Sequence, residues 1–337
     1  MNLPEAKTAA ELVAAIASGD RAAIAAALNL LDDRRKEARA KATALLAHLQ
    51  REQEQPTGQL IGITGPPGAG KSTLSAALIR VWRKRGLRVA VLAVDPSSPI
   101  SGGALLGDRV RMQTSADDDG VFVRSLSNRG QFGGLSAEVW PMSIVMLAGF
   151  DIVLIETVGV GQREVDIARL CDTTCYVAQP GSGDSVQFLK AGILEVPHIL
   201  VVNKDDMGAV ARRTLAELGA ALTRTHPDGN WQVPVLATSA ANGTGVEALA
   251  DVMQTHYDLL RSQHRLAARR RGYQSYWLHK RLQDEFGSFG IERLGGEKAL
   301  LVQLEAQDMN LFEQYAALRQ RLHVACTAPG PTATNST

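Results

Sequence analysis

Seven short apolar runs recur along the middle of the chain: 60–64, Arg88 to Val94, Val121 to Arg124, Asp151 to Ile155, Thr174 to Ala178, His198 to Asn203 and Val233 to Thr238. Each is apolar at nearly every position, the pattern of a strand covered on both faces rather than one. Longer amphipathic stretches separate them, such as Leu215 to Thr223. Short buried strands alternating with helices predict an α/β fold built on a mainly parallel sheet. Ahead of the first run, Leu12, Ile16, Ile24, Leu28 and Leu31 recur near helical spacing, and Arg34 to Gln55 extends the pattern with alternating charge. Two or three helices are expected there, ending at the breaker Gln55-Pro56-Thr57-Gly58.

Beyond Leu260 the pattern changes. Arg261, Arg265, Arg269, Arg270 and Arg271 precede Tyr273, Tyr276 and Trp277, and helical spacing continues to about His323. Basic residues beside aromatics can mark a nucleic-acid surface, but this spacing gives one charged and one apolar helix face. A helical packing or dimerisation element is the reading taken. The expected division is an N-terminal helical region at 1–57, an α/β domain at 58–262, a C-terminal helical element at 263–326 and a disordered Pro/Thr/Ser-rich tail at 327–337.

Composition narrows the class. In 337 residues, 45% are hydrophobic and 21% charged, an ordinary globular balance. With 36 Lys plus Arg against 35 Asp plus Glu, the net charge is +1, which does not suggest a nucleic-acid binder. Three cysteines cannot frame a disulfide scaffold, and Cys171 and Cys175 read as buried small residues. The N-terminus carries Glu5 and Glu11 without a long apolar run, so it does not read as a signal peptide. No run of about 18 apolar residues suggests a membrane span, and a cytoplasmic protein is expected.

The chemistry begins after the first strand. Gly65-Pro66-Pro67-Gly68-Ala69-Gly70-Lys71-Ser72, followed by Thr73, satisfies GxxxxGK[ST] between a strand and a helix predicted over Leu74 to Arg85. Glycines let backbone N–H groups converge on phosphate, Lys71 reaches the β- and γ-phosphates, and the Ser72 hydroxyl suits Mg²⁺. A plain glycine-rich turn is the alternative, which the strand–motif–helix order disfavours. Asp95 ends the second strand and could meet the metal, or serve as a turn aspartate beside Pro96 and Ser97. Asp108, in Gly102-Gly103-Ala104-Leu105-Leu106-Gly107-Asp108-Arg109, suits a loop that orders around γ-phosphate and Mg²⁺, or a helix cap. Glu156 follows the fourth strand at the Walker-B position, one methylene longer than the usual Asp, and the Gly159 N–H could approach the γ-phosphate. Gln162 lies two residues beyond the usual water-positioning glutamine and is assigned no catalytic role.

Asn203-Lys204-Asp205-Asp206 matches NKxD at a strand end. The Asp206 carboxylate can accept from guanine N1–H and the N2 amine, a pattern adenine lacks, while Asn203 and Lys204 brace the base. Ser239, Ala240 and Ala241 follow the last strand, where a backbone N–H can meet guanine O6. GTP and GDP with Mg²⁺ are therefore expected, rather than ATP.

The segments VLAVDPSSP, GGALLGDRVRM, ETVGVGQ, PGSGD and NKDD together resemble the MeaB/ArgK family of P-loop GTPases, over about Leu60 to Leu260. The resemblance implies a homodimeric G-protein chaperone that gates adenosylcobalamin loading and protects or reactivates a B12-dependent acyl-CoA mutase. It implies metal and switch roles for Asp95, Asp108 and Glu156. It also implies a further switch loop over 179–190, with Gln179 at its start and Asp184 and Lys190 at its charged positions. Ser185 stands where the family usually has Glu, and Arg163 to Asp166 and Leu126 to Arg129 also depart. These departures suggest a client mutase other than the commonest, methylmalonyl-CoA enzyme, such as an isobutyryl- or 2-hydroxyisobutyryl-CoA mutase. A phosphotransferase, under the family's older kinase label, and a nickel-insertion GTPase are the alternatives; seven scattered histidines give the latter no His-rich tract.

Overall fold

The computed structural model describes residues 9–33, 35–52, 57–95, 118–127, 136–157, 167–181, 197–221, 231–306 and 310–327. Among these, three N-terminal helices come first: α1 (Ala9–Ala17), α2 (Arg21–Asp32) and α3 (Lys36–Glu52). The Asp20 carboxylate caps α2 by accepting from the Ala22 and Ala23 N–H groups, satisfying donors that a helix start leaves open. Strands and helices then alternate: β1 (Gln59–Thr64), α4 (Lys71–Lys84), β2 (Val89–Asp95), β3 (Val121–Ser127), α5 (Val139–Gly149), β4 (Ile152–Thr157), β5 (Thr173–Ala178), β6 (Ile199–Val202), α6 (Ala209–Ala221), β7 (Val235–Ala237) and α7 (Val246–Ser262). Three further helices follow, α8 (Arg265–Arg293), α9 (Gly296–Ala306) and α10 (Leu311–Thr327), with α8 broken at Gly287, whose φ is 66°.

The strands form one sheet in the order β3-β2-β4-β1-β5-β6-β7, and every pairing is parallel. All seven apolar runs thus become strands, shifted at their ends by a residue or a few. Alternation explains why the runs look continuous. Leu60, Leu92, Val153 and Ile155 face one side, where α1 to α3, α5 and the C-terminal helices cover them. Ile61, Ile63, Val91, Leu154 and Val177 face the other, under α4 and α7. Tyr176, Leu200 and Val202 pack with α6.

The C-terminal helices share the first of these cores: Tyr273, Trp277, Leu278, Leu282, Phe312 and Leu322 belong to it together with Ile24 and Leu28. The basic stretch leading into α8 is not all solvated. Arg270 is buried and paired with Asp172 at 2.6 Å, so one of the five arginines serves the interior. The expected disorder of the tail beyond Thr327 lies outside the described residues.

Candidate active site

The site forms at the carboxyl ends of the central strands, where the first βα turn opens a crevice in an open α/β sheet. β1 lies between β4 and β5, with Gly62 beside Ile155 and Thr174 in register. Chain leaving β1 turns through Gly65 to Gly70 into α4. Gly65 has φ 141°, and a Cβ there would sit 2.2 Å from the Val177 carbonyl oxygen. Gly70 has φ 86° as the N-cap of α4, and a Cβ there would meet Asn203 Nδ2 at 2.5 Å. Both positions need glycine for backbone and for space. The result is a loop closed tightly over a helix N-terminus, where N–H groups and the helix dipole favour an anion.

Lys71 is buried, and its ammonium donates to the Gly65 and Pro66 carbonyls at 2.8 and 2.9 Å. It therefore lies along the inside of the turn that the glycines make. Pro67, Gly68 and Thr73 are exposed around it, while Ala69 is buried beneath.

Glu156 occupies the next-to-last position of β4 and is 7% exposed. Its Oε1 accepts from Ser72 Oγ at 2.5 Å and its Oε2 accepts from Ser75 Oγ at 2.9 Å. Ser72 and Glu156 are both site residues expected from the sequence, whereas Ser75 is not. The available signal for it was a serine one helical turn after Ser72 on an apolar helix face. Hard oxygen donors of this kind suit Mg²⁺, which keeps the rest of its shell from phosphate and water. Asp95 ends β2 beside β4, one position beyond the Val94–Thr157 pair. Among the described residues no group of three or more His, Cys, Asp or Glu side chains is placed to hold a metal by itself.

The NKxD segment sits at the end of β6. Asn203 is buried and spans three loops: Nδ2 donates to the Ala69 carbonyl at 2.9 Å, and Oδ1 accepts from the Ala240 N–H at 3.1 Å and Thr238 Oγ1 at 3.2 Å. Lys204 takes a left-handed conformation with φ 63°, uncommon for a residue with a Cβ. Asp206 is exposed, and Ser239 Oγ donates to its Oδ1 at 2.6 Å. Ala241 is exposed next to it. Phosphate loop and base loops are thereby joined through one amide.

Gln179 follows β5, and its Oε1 would lie 3.2 Å from a Cβ built on Gly68, which places it against the phosphate loop. Asp108, Gly159, Asp184 and Lys190 lie outside the described residues, as does the side chain of Asp95.

A parallel sheet that presents a phosphate loop, a hydroxyl-bound acid on the adjacent strand and NKxD with its TSA loop defines a P-loop GTPase. Within that class the chain belongs to one family. The family described as Methylmalonyl Co-A mutase-associated GTPase MeaB matches residues 24–290. A putative GTPase of Pyrococcus abyssi is 41% identical over 281 residues, 82% of each chain. The mitochondrial methylmalonic aciduria type A homolog of Caenorhabditis briggsae is 36% identical over 281 residues, 80% of this chain and 68% of that one. The crystal structure of a LAO/AO transport system kinase superposes with a TM-score of 0.70 at 26% identity, covering 95% of this chain and 100% of that one.

Proposed function

We propose that this GTPase acts as a chaperone of an adenosylcobalamin-dependent acyl-CoA mutase, using GTP hydrolysis to gate cofactor loading and to protect or reactivate the client. The observation that carries the GTP chemistry is the Asn203 bridge, which makes phosphate and base recognition a single connected site. The mutase reading rests on the family match and on the relation to the methylmalonic aciduria type A homolog.

In this reading the turn from Gly65 to Gly70 wraps the phosphates, and the Lys71 ammonium exchanges the Gly65 and Pro66 carbonyls for β- and γ-phosphate oxygens. Ser72 and Glu156 hold Mg²⁺, with Asp95 and Asp108 as the further acids. A bound Mg²⁺ neutralises charge that develops on the phosphates. Asp206 accepts from guanine, Asn203 and Lys204 brace the base, and the Ser239 to Ala241 backbone meets O6. Gly159 approaches the γ-phosphate, and Gln179, Asp184 and Lys190 report nucleotide state to the client. No arginine finger is evident from the sequence, so intrinsic turnover is slow and rises when the client orders the loops.

A homodimer through the C-terminal element is part of the proposal. Phe289, Val302 and Val324 on α8, α9 and α10 are 54%, 66% and 64% exposed, an unusual display for large apolar side chains. The client is a methylmalonyl-, isobutyryl- or 2-hydroxyisobutyryl-CoA mutase. GTP hydrolysis measured alone and with each of these mutases tests the proposal. Stimulation by one identifies it; turnover unchanged by all of them overturns the chaperone role and leaves the GTPase.

A further inference from the structure

Glu156 differs from an aspartate in having one more methylene and one more rotatable bond. A buried carboxylate with an extra torsion has more ways to point, and fixing it costs side-chain entropy. The structure removes that freedom with two hydroxyls from one helix. Ser72 binds Oε1 at 2.5 Å and Ser75, three residues along α4, binds Oε2 at 2.9 Å. Ser75 is fully buried, and Ser72 and Ser75 stack on one face because residues three apart are neighbours on a helix.

We infer that Ser75 is a positioning residue for the hydrolytic site: by holding Glu156 Oε2 it turns the carboxylate so that Oε1 meets Ser72 and the metal edge of the phosphate loop. Ser75 lies one turn farther into the helix than Ser72, away from the phosphate loop. Its hydroxyl is spent on the carboxylate, so it acts on nucleotide and metal only through Glu156. The added length of Glu over Asp is what lets Oε2 reach it. The pairing therefore explains how a Glu can stand at a strand end where an Asp is usual without losing its orientation. This inference rests on the GTPase reading of the site and adds a residue to it.

The test is a double-mutant cycle on the full-length protein, using Ser75→Ala, Glu156→Asp and the two combined. Two readouts are followed: the Mg²⁺ concentration for half-maximal GTP hydrolysis, and the Mg²⁺-dependent retention of a fluorescent GDP analogue. Removing one hydrogen bond to a charged group predicts a rise of about tenfold to a hundredfold in the Mg²⁺ requirement of Ser75→Ala, with KM for GTP at saturating Mg²⁺ unchanged. Mg²⁺-dependent retention of the analogue weakens in parallel. In the Glu156→Asp background the shorter side chain no longer reaches position 75, so Ser75→Ala adds nothing. Ser75→Cys, close in volume but a weak donor, gives the same Mg²⁺ shift should Ala disturb the helix. An unchanged Mg²⁺ requirement in both Ser75 variants overturns the inference. So does an effect of Ser75→Ala that is equal with Glu156 intact and in the Glu156→Asp background. If the unmodified protein fails to hydrolyse GTP, the fault lies instead with the GTPase reading.

Discussion

Asp172 and Arg270, 98 positions apart, meet in the interior as a two-pronged ion pair: Arg270 Nε donates to Oδ1 at 3.0 Å and Nη2 to Oδ2 at 2.6 Å. The same carboxylate accepts the Leu60 N–H at 2.8 Å, and Arg270 Nη2 also donates to the Gly58 carbonyl at 2.6 Å. One pair thus fastens the start of the central strand β1, the entry to β5 and the long helix α8. Burial alone would lower the Arg270 pKa, but the charge and hydrogen bonds of Asp172, with smaller contributions from Tyr257 and Tyr273, together raise it.

Arg270→Ala leaves the Asp172 carboxylate buried without its counter-ion and should cost about 3–5 kcal/mol. Urea denaturation followed by circular dichroism measures this. Arg270→Lys keeps the charge without the fork and should fall between. A loss under about 1 kcal/mol for the alanine variant would mean that water replaces the guanidinium.

Lys71→Ala removes the cation at the phosphate loop and two hydrogen bonds to its carbonyls. GTP turnover should fall by about a hundredfold or more, with the far-ultraviolet spectrum unchanged. Ordinary turnover in this variant would remove the loop from the mechanism.

The two sides of the NKxD segment should separate. Asn203→Ala strips partners from the buried Ala69 carbonyl and Ala240 N–H, so it should lower stability by about 1–3 kcal/mol as well as nucleotide affinity. Asp206→Asn acts at an exposed carboxylate, so it should leave stability near normal while reducing the preference for GTP over ATP by about tenfold or more. Competition between GTP and ATP for a fluorescent GDP analogue reads the second effect, and an unchanged preference would displace Asp206 from the base pocket.

Glu285 gives the C-terminal helices an acid-sensitive joint. Burial would raise its pKa, yet hydrogen bonds from Tyr315 at 2.8 Å and Arg319 at 2.7 Å, with Arg39 at 3.6 Å, hold it below the ordinary carboxylate value. His323, at 3.8 Å, adds attraction once protonated. A depressed folded-state pKa contributes stability above the unfolded value and loses it as pH falls through the folded one. Glu285→Gln should therefore be less stable at neutral pH, and the gap should close on acidification through and below the ordinary carboxylate range. Urea midpoints across that range decide it; parallel curves would exclude Glu285 as the titrating group.

Local chemistry was legible in the chain. The central strands could be read because both faces of the sheet are covered there, which makes them nearly continuous apolar runs, while the edge strands β3 and β7 are shorter in apolar run and only part-buried. The phosphate loop and NKxD could be read because a tight turn and a base pocket fix residue types at short spacing. The buried state of Cys171 and Cys175 also followed from composition alone. Tertiary structure decided what each polar group meets across long separations. Nothing in the spacing of Ser75 and Glu156, 81 positions apart, announces their bond; it exists because β4 lies beside β1, which leads into α4. Arg270 reads as one of five arginines on a charged face, and only the docking of α8 over the amino end of the sheet turns it inward to Asp172. Periodicity and turn chemistry act within a few residues, whereas the partner of a buried charge is chosen by packing.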